Sequence, residues 1–250
     1  MKHFYSRIAL CVATLLSGIV HAAEVSVAVA ANFTAPMKII AGHFERDTGH
    51  KATLSFGGTG QFYAQIRNGA PFQVLLAADT ETPAKIEHEG LGVAGSRFTY
   101  AIGKLVLWSK QPGVVDDTGA ILKSGNLGKI AIANPKLAPY GAAAMQVMNA
   151  LGVTSRLTPK LAEASNIGQA FQYVASGNAQ IGFVALSQVL ENGTLKEGSA
   201  WIVPSNLYSP IQQDAVLLKA GDNNPAAQAL LNYLRTDAAK QVMTSFGYAH

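Results

Sequence analysis

Three times between residues 25 and 89, a short strand-like run gives way to a stretch with helical spacing. Val-Ser-Val-Ala-Val-Ala at residues 25–30 is followed by Met37, Ile40, Ala41 and Phe44, which recur on one helical face until Gly49. Residues 52–56 alternate as a strand does; Phe62 and Ile66 then lie one turn apart, with Gly69 as the stop. Residues 74–78 are continuously apolar, as a strand must be when helices cover both faces of its sheet, and a short charged helix follows at 83–89. The same reasoning predicts strands at 130–133, 181–184 and 215–218, and helices at 142–151, 167–175, 225–234 and 238–246. Strands alternating with crossover helices leave little choice but an α/β fold. The run at 98–108 is too long for one ordinary strand and reads as a passage between two domains, with Gly103 near the crossing.

The first 22 residues stand apart from this pattern. Lys2 and Arg7 precede a mostly apolar stretch too short to span a bilayer comfortably, and Val20-His21-Ala22 resembles a small-residue cleavage site. The expectation is a signal peptide cut after Ala22 and a soluble, periplasmic product. Cys11 is the single cysteine and falls inside that segment, so the mature chain has no thiol chemistry. Losing Lys2 and Arg7 lowers the formal charge from +4 to +2, which gives no nucleic-acid signature.

Four segments at predicted helix starts share an unusual composition. Ala30-Ala31-Asn32-Phe33-Thr34, Phe56-Gly57-Gly58-Thr59-Gly60-Gln61, Pro139-Tyr140-Gly141 and Ser165-Asn166-Ile167-Gly168 contain no Lys, Arg, Asp, Glu or His. Helix starts carry unpaired N–H groups and the positive end of the dipole. Four of them meeting at one point would hold an oxyanion with donors alone. Each segment also has a plainer reading: Asn32 and Asn166 as N-caps, Gly57-Gly58-Thr59-Gly60 as a turn, and Tyr140 as a packed loop residue.

Enzyme signatures are missing from the sequence. There is no Gly-x-Ser-x-Gly elbow, no paired-histidine motif among His43, His50, His88 and His250, and no phosphate loop of the Walker or dinucleotide type. The mature histidines read as solvated, Asp116-Asp117 as a solvated turn, and Tyr248-Ala249-His250 as a simple chain end.

Taken together the segments resemble the periplasmic molybdate-binding proteins of molybdate ABC transporters. The resemblance covers nearly the whole mature chain. It is carried by Val27-Ala28-Val29-Ala30-Ala31-Asn32-Phe33, Phe56-Gly57-Gly58-Thr59-Gly60 and Gln65-Ile66-Arg67-Asn68-Gly69-Ala70-Pro71. Shorter matches are Ala77-Ala78-Asp79, Asn134-Pro135, Leu157-Thr158-Pro159-Lys160-Leu161 and Ile181-Gly182-Phe183-Val184. It implies a type II periplasmic binding protein fold: two three-layer α/β domains joined by two crossing strands, with the ligand cleft between them. Domain I would be residues 23–102 plus 212–250 and domain II 103–211.

The resemblance also implies the ligand set. Asn32 and Thr59 would bind through side chain and backbone, Tyr140 and Ile167 through backbone N–H. Molybdenum would be held as molybdate through these donors, not by direct side-chain coordination, with tungstate as an equivalent ligand and no cofactor. The implied partner is the membrane permease of the transporter, and the implied state a monomer. Two positions depart from the pattern: many relatives have serine at Asn32, and a ligand-reaching tyrosine where this chain has Ala185. Tyr140 is a candidate substitute for that missing donor. Another fully ionised tetrahedral oxyanion, such as sulfate, is the alternative ligand. Phosphate fits poorly, because near neutral pH it keeps a proton that needs an acceptor.

Overall fold

The computed structural model describes residues 22–124 and 127–250; the expected signal peptide, with Lys2, Arg7 and Cys11, lies outside them apart from Ala22. The chain opens with β1 (Glu24–Ala30), turns through a 3-10 turn (Ala31–Phe33) into α1 (Thr34–Thr48), and continues as β2 (Lys51–Gly57), α2 (Thr59–Arg67), β3 (Val74–Leu76), α3 (Glu81–His88) and β4 (Phe98–Gly103). Next come β5 (Leu105–Ser109), β6 (Ile130–Ala133), α4 (Pro139–Ala150), α5 (Thr154–Leu157), β7 (Leu161–Ala164), α6 (Ile167–Ala175) and β8 (Ile181–Ala185). A short α7 (Leu186–Val189), the hairpin β9 (Leu190–Glu191) and β10 (Thr194–Leu195), β11 (Ser199–Ile202), β12 (Ile211–Leu217), α8 (Pro225–Tyr233) and α9 (Asp237–Ser245) complete the chain.

Two five-stranded sheets result, ordered β2-β1-β3-β12-β4 and β11-β5-β8-β6-β7. In the first, β1 runs parallel to both β2 and β3. Its alternate side chains enter different cores, as strand geometry requires. Val25, Val27 and Val29 pack with Phe33, Met37, Ile40 and Phe44 and with residues of α8 and α9. Ala28 faces Phe62, Ile66 and Ile86 on the other side. The second sheet has its own core, in which Trp108 stacks on Phe171 at 5.1 Å.

The segment 98–108 does divide at Gly103: β4 ends there in the first sheet and β5 begins at Leu105 in the second. The returning passage is β12, antiparallel to β4, with Ile211 opposite Gly103 and Gln213 opposite Ala101. This strand starts four residues before the expected 215–218. Its first half carries Gln212, Gln213 and Asp214, so no apolar run announces it. A bulge between Gln213 and Asp214 turns both successive polar side chains inward, at 0% and 1% exposure. Asp214 is held there by Arg97 Nη1 at 2.7 Å and the Thr99 hydroxyl at 2.6 Å. Likewise α4 starts at Pro139, three residues before the expected 142, because proline at the first helical position removes an N–H that would be unpaired anyway.

Candidate functional site

All four charge-free segments converge on one small cavity between the two sheets. Ala30, Ala31, Asn32, Gly57, Gly58, Thr59 and Ala78 line it from the first lobe; Ala138, Pro139, Tyr140, Asn166 and Ile167 line it from the second. None of these side chains is a carboxylate, a histidine or a cation. The N–H groups of Thr59, Tyr140 and Ile167 belong to the first turns of α2, α4 and α6, which offer them no acceptor within the helix. The lobes touch around the cavity: the Gly60 N–H points to the Leu137 carbonyl at 3.4 Å. A Cβ on Gly58 would stand 3.2 Å from the Asn166 Cβ, so glycine lets the two walls approach.

Asn166 behaves as an N-cap, its side chain accepting from the Gln169 N–H at 3.1 Å. Asn32 does not. It sits in the 3-10 turn before α1, whose N-cap residue is Phe33 and which has no side-chain cap. The Asn32 Nδ2 instead donates to Gln213 Oε1 and to the Tyr248 hydroxyl, both at 2.8 Å. Its Oδ1 is buried and has no hydrogen-bond partner. The Asn32 carbonyl accepts from Ser187 Oγ at 2.8 Å and from the Tyr248 hydroxyl at 3.0 Å. The Thr59 Oγ1 accepts from the Ala78 N–H at 3.0 Å, which leaves its hydroxyl hydrogen to be donated.

The Tyr140 hydroxyl accepts from Gln213 Nε2 at 3.1 Å between the crossing strands, which leaves its own hydrogen to be donated. There it fills the space left by Gly103, where a Cβ would lie 2.0 Å from the phenol oxygen. Two expectations, on Tyr248 and His50, need correction. Tyr248 is no idle chain end: it is buried, contacts Asn32 and Ser187, and is followed by a bridge between Ala249 and Ile102 of β4. His50 is buried as well, its Nδ1 accepting from the Ala23 N–H at 3.2 Å. Asp116, by contrast, is exposed and binds Thr118 and Ala120 within its own turn, as expected.

Burial raises the phenols of Tyr100 and Tyr140 well above the ordinary tyrosine value and that of Tyr248 to about 12. All three therefore keep their hydrogens near neutral pH. The carboxylate next to the cavity wall, Asp79, is committed to the Thr82 N–H at 2.8 Å and the Thr82 hydroxyl at 3.1 Å. Burial raises its pKa too, and the Thr82 bonds counter that. The cavity itself thus offers donors, with no ionised acceptor. Gln213, Tyr248 and Ser187 carry no local sequence signal; they reach Asn32 from 181, 216 and 155 residues away. Among the described residues no helix is long and apolar enough to cross a membrane, and no group of three or more His, Cys, Asp or Glu could hold a metal ion.

Known proteins of the same build carry telling names. The bacterial extracellular solute-binding protein family matches residues 25–249. The molybdate-binding protein ModA of Azotobacter vinelandii is 61% identical over 94% of both chains. Its namesake from Rhodobacter capsulatus is 54% identical over 91% of this chain and 88% of its own. A solved periplasmic molybdate-binding protein of Azotobacter vinelandii superposes with a TM-score of 0.88 at 41% identity, covering 90% of this chain and 99% of its own. The chain belongs to the bacterial extracellular solute-binding protein family and, within it, to the ModA proteins.

Proposed function

We propose that this protein captures molybdate in the periplasm and delivers it to the membrane permease of a molybdate ABC transporter, with tungstate as a second ligand. The observation that carries this reading is the cavity lined by four charge-free chain segments from two lobes. Molybdate is fully ionised near neutral pH and asks only for donors. Those donors are the Thr59 hydroxyl, the N–H groups of Thr59, Tyr140 and Ile167, and Asn32 once its amide nitrogen turns toward the ligand. Hydrogen bonds to a charged group contribute roughly 1.5–3 kcal/mol each, and helix starts add their dipoles.

The moving units are residues 23–102 with 212–250, and 103–211. An oxyanion touching both favours the closed arrangement by its differential affinity. The mature protein, cut after Ala22, acts as a monomer without a cofactor and performs no catalysis. The names of the relatives favour molybdate over sulfate. A sulfate-binding protein of Mycobacterium tuberculosis, 12% identical with a TM-score of 0.71, supports the fold alone. Competition calorimetry with molybdate, tungstate, sulfate and phosphate tests the reading. One molybdate or tungstate per chain, bound far more tightly than the other two, is expected; equal or tighter sulfate binding refutes it.

A further inference from the structure

Behind the cavity wall, two buried amides are gripped almost wholly by hydroxyl groups. Asn32 Nδ2 gives its hydrogens to Gln213 Oε1 and the Tyr248 hydroxyl. Gln213 Oε1 also accepts from the Tyr100 hydroxyl at 3.0 Å, while Gln213 Nε2 donates to the Tyr140 hydroxyl. One group is left over: Asn32 Oδ1, buried on a cavity-lining residue and without a partner. An acceptor left in that place opposes an anion. An amide has nearly the same shape with its oxygen and nitrogen exchanged, and a hydroxyl can donate or accept. Reversing both amides therefore keeps every amide bond of the network; the bond given up is that of Tyr248 to the Asn32 carbonyl, which keeps Ser187 Oγ as its donor. Tyr248 and Gln213 Nε2 would donate to Asn32 Oδ1, Tyr140 would donate to Gln213 Oε1, and Tyr100 would accept from Gln213 Nε2 while still donating to the Ala77 carbonyl at 3.0 Å. Within this network the group then lacking a partner is Asn32 Nδ2, a donor on a cavity-lining residue that an oxyanion could satisfy.

We propose that Gln213 is a positioning residue for the oxyanion, and that the Asn32 and Gln213 amides reverse together when the anion enters. This rests on the cavity being the oxyanion site. Gln213 lies at the bulge of β12, one of the two strands that pass between the lobes. Reversal changes its bond to Tyr140 from one in which the phenol accepts to one in which it donates. Occupancy of the cavity is thereby felt at the crossing strands.

The first test is a titration of the 15N-labelled protein with molybdate, following the side-chain amide signals of Asn32 and Gln213, assigned from Asn32→Asp and Gln213→Glu. Both amide pairs should shift together and saturate with one equivalent. Movement of the Asn32 pair with a stationary Gln213 pair overturns the inference. The second test is calorimetry of Gln213→Glu across about pH 6 to 8, a range into which burial can lift a carboxyl pKa. The protonated carboxyl can donate to Asn32 Oδ1 and permit binding. The ionised form only accepts and holds Asn32 Nδ2 away from the ligand. Affinity should fall roughly ten- to a hundredfold as the pH rises, the scale of one hydrogen bond to a charge. In an Asn32→Ala background this pH dependence should vanish. If it persists there, through-space repulsion accounts for it and the inference is wrong. Gln213→Glu that binds like the parent at every pH also overturns it. Should that variant fail to fold, the titration of the parent decides. A parent protein that binds no molybdate refutes the proposed function itself, whereas a parent that binds with an unmoved Gln213 refutes only the reversal.

Discussion

Replacing Thr59 by alanine separates its two hydrogen bonds. Its oxygen accepts from the Ala78 N–H at 3.0 Å, and its hydrogen remains for the ligand. Alanine removes both. Loss of a bond to a charged group costs about 1.5–3 kcal/mol of binding, which is roughly a ten- to 150-fold weaker dissociation constant. The Ala78 N–H, on a residue only 4% exposed, is left unpaired whether or not ligand is bound. An unsatisfied buried group costs about 1–3 kcal/mol, so the melting temperature of the ligand-free protein should drop by roughly 2–12 °C. Serine keeps both bonds and should stay close to the parent on both counts. Calorimetry with molybdate gives the first quantity and scanning calorimetry without ligand the second. A lower melting temperature with parent affinity in Thr59→Ala would mean that the hydroxyl serves Ala78 alone, and the donor role assigned to it would be wrong.

Tyr140→Phe should lose less than about tenfold in molybdate affinity, because the backbone N–H remains and the hydroxyl contacts Gln213; Tyr140→Gly should lose far more, as a fully buried ring leaves a cavity worth about 3–5 kcal/mol of stability. A loss with Phe equal to that with Gly would make the phenol a direct ligand. Gly103→Ala drives a methyl into the Tyr140 hydroxyl at 2.0 Å and Gln213 Nε2 at 2.6 Å, so denaturant unfolding should report about 1–3 kcal/mol less stability; an unchanged midpoint would mean the crossing strands yield freely. Small-angle scattering should give a smaller radius of gyration with molybdate than without, and identical curves would count against lobe closure. Burial raises the phenol pKa values of Tyr100, Tyr140 and Tyr248, so their contribution to stability is complete below about pH 10 and is lost as pH climbs through the folded values. Alkaline titration monitored by circular dichroism should therefore show unfolding setting in above about pH 10; flat stability well beyond that would contradict the protonated network.

Much of this arrangement was legible in the sequence because its causes are local. A short β-rich run marked β1, a continuous apolar run marked β3, and helix starts free of charge marked all four walls of the cavity. The overlong run at 98–108 divided at the expected glycine. What escaped was long-range. The first half of β12 has no apolar pattern because it lies in the passage between lobes, where Gln213 and Asp214 are buried against polar partners. Tyr248 looked like the frayed end of a chain, and nothing nearby in sequence announces Asn32 as its partner. Tyr140 lines the cavity, but the direction of its side chain depends on a space at Gly103 that only the folded strands create.

The partnership of Asn32 with Tyr248 also sets a timetable. A chain is made from its N-terminus, and Asn32 waits through 216 further residues for the phenol that grips its amide and its carbonyl. The bridge of Ala249 to Ile102 forms at the same late moment. A chain truncated before Tyr248 lacks the phenol that holds the Asn32 amide and carbonyl. The support of the cavity's Asn32 is thus contributed from far along the chain, by a residue that packs beside β4.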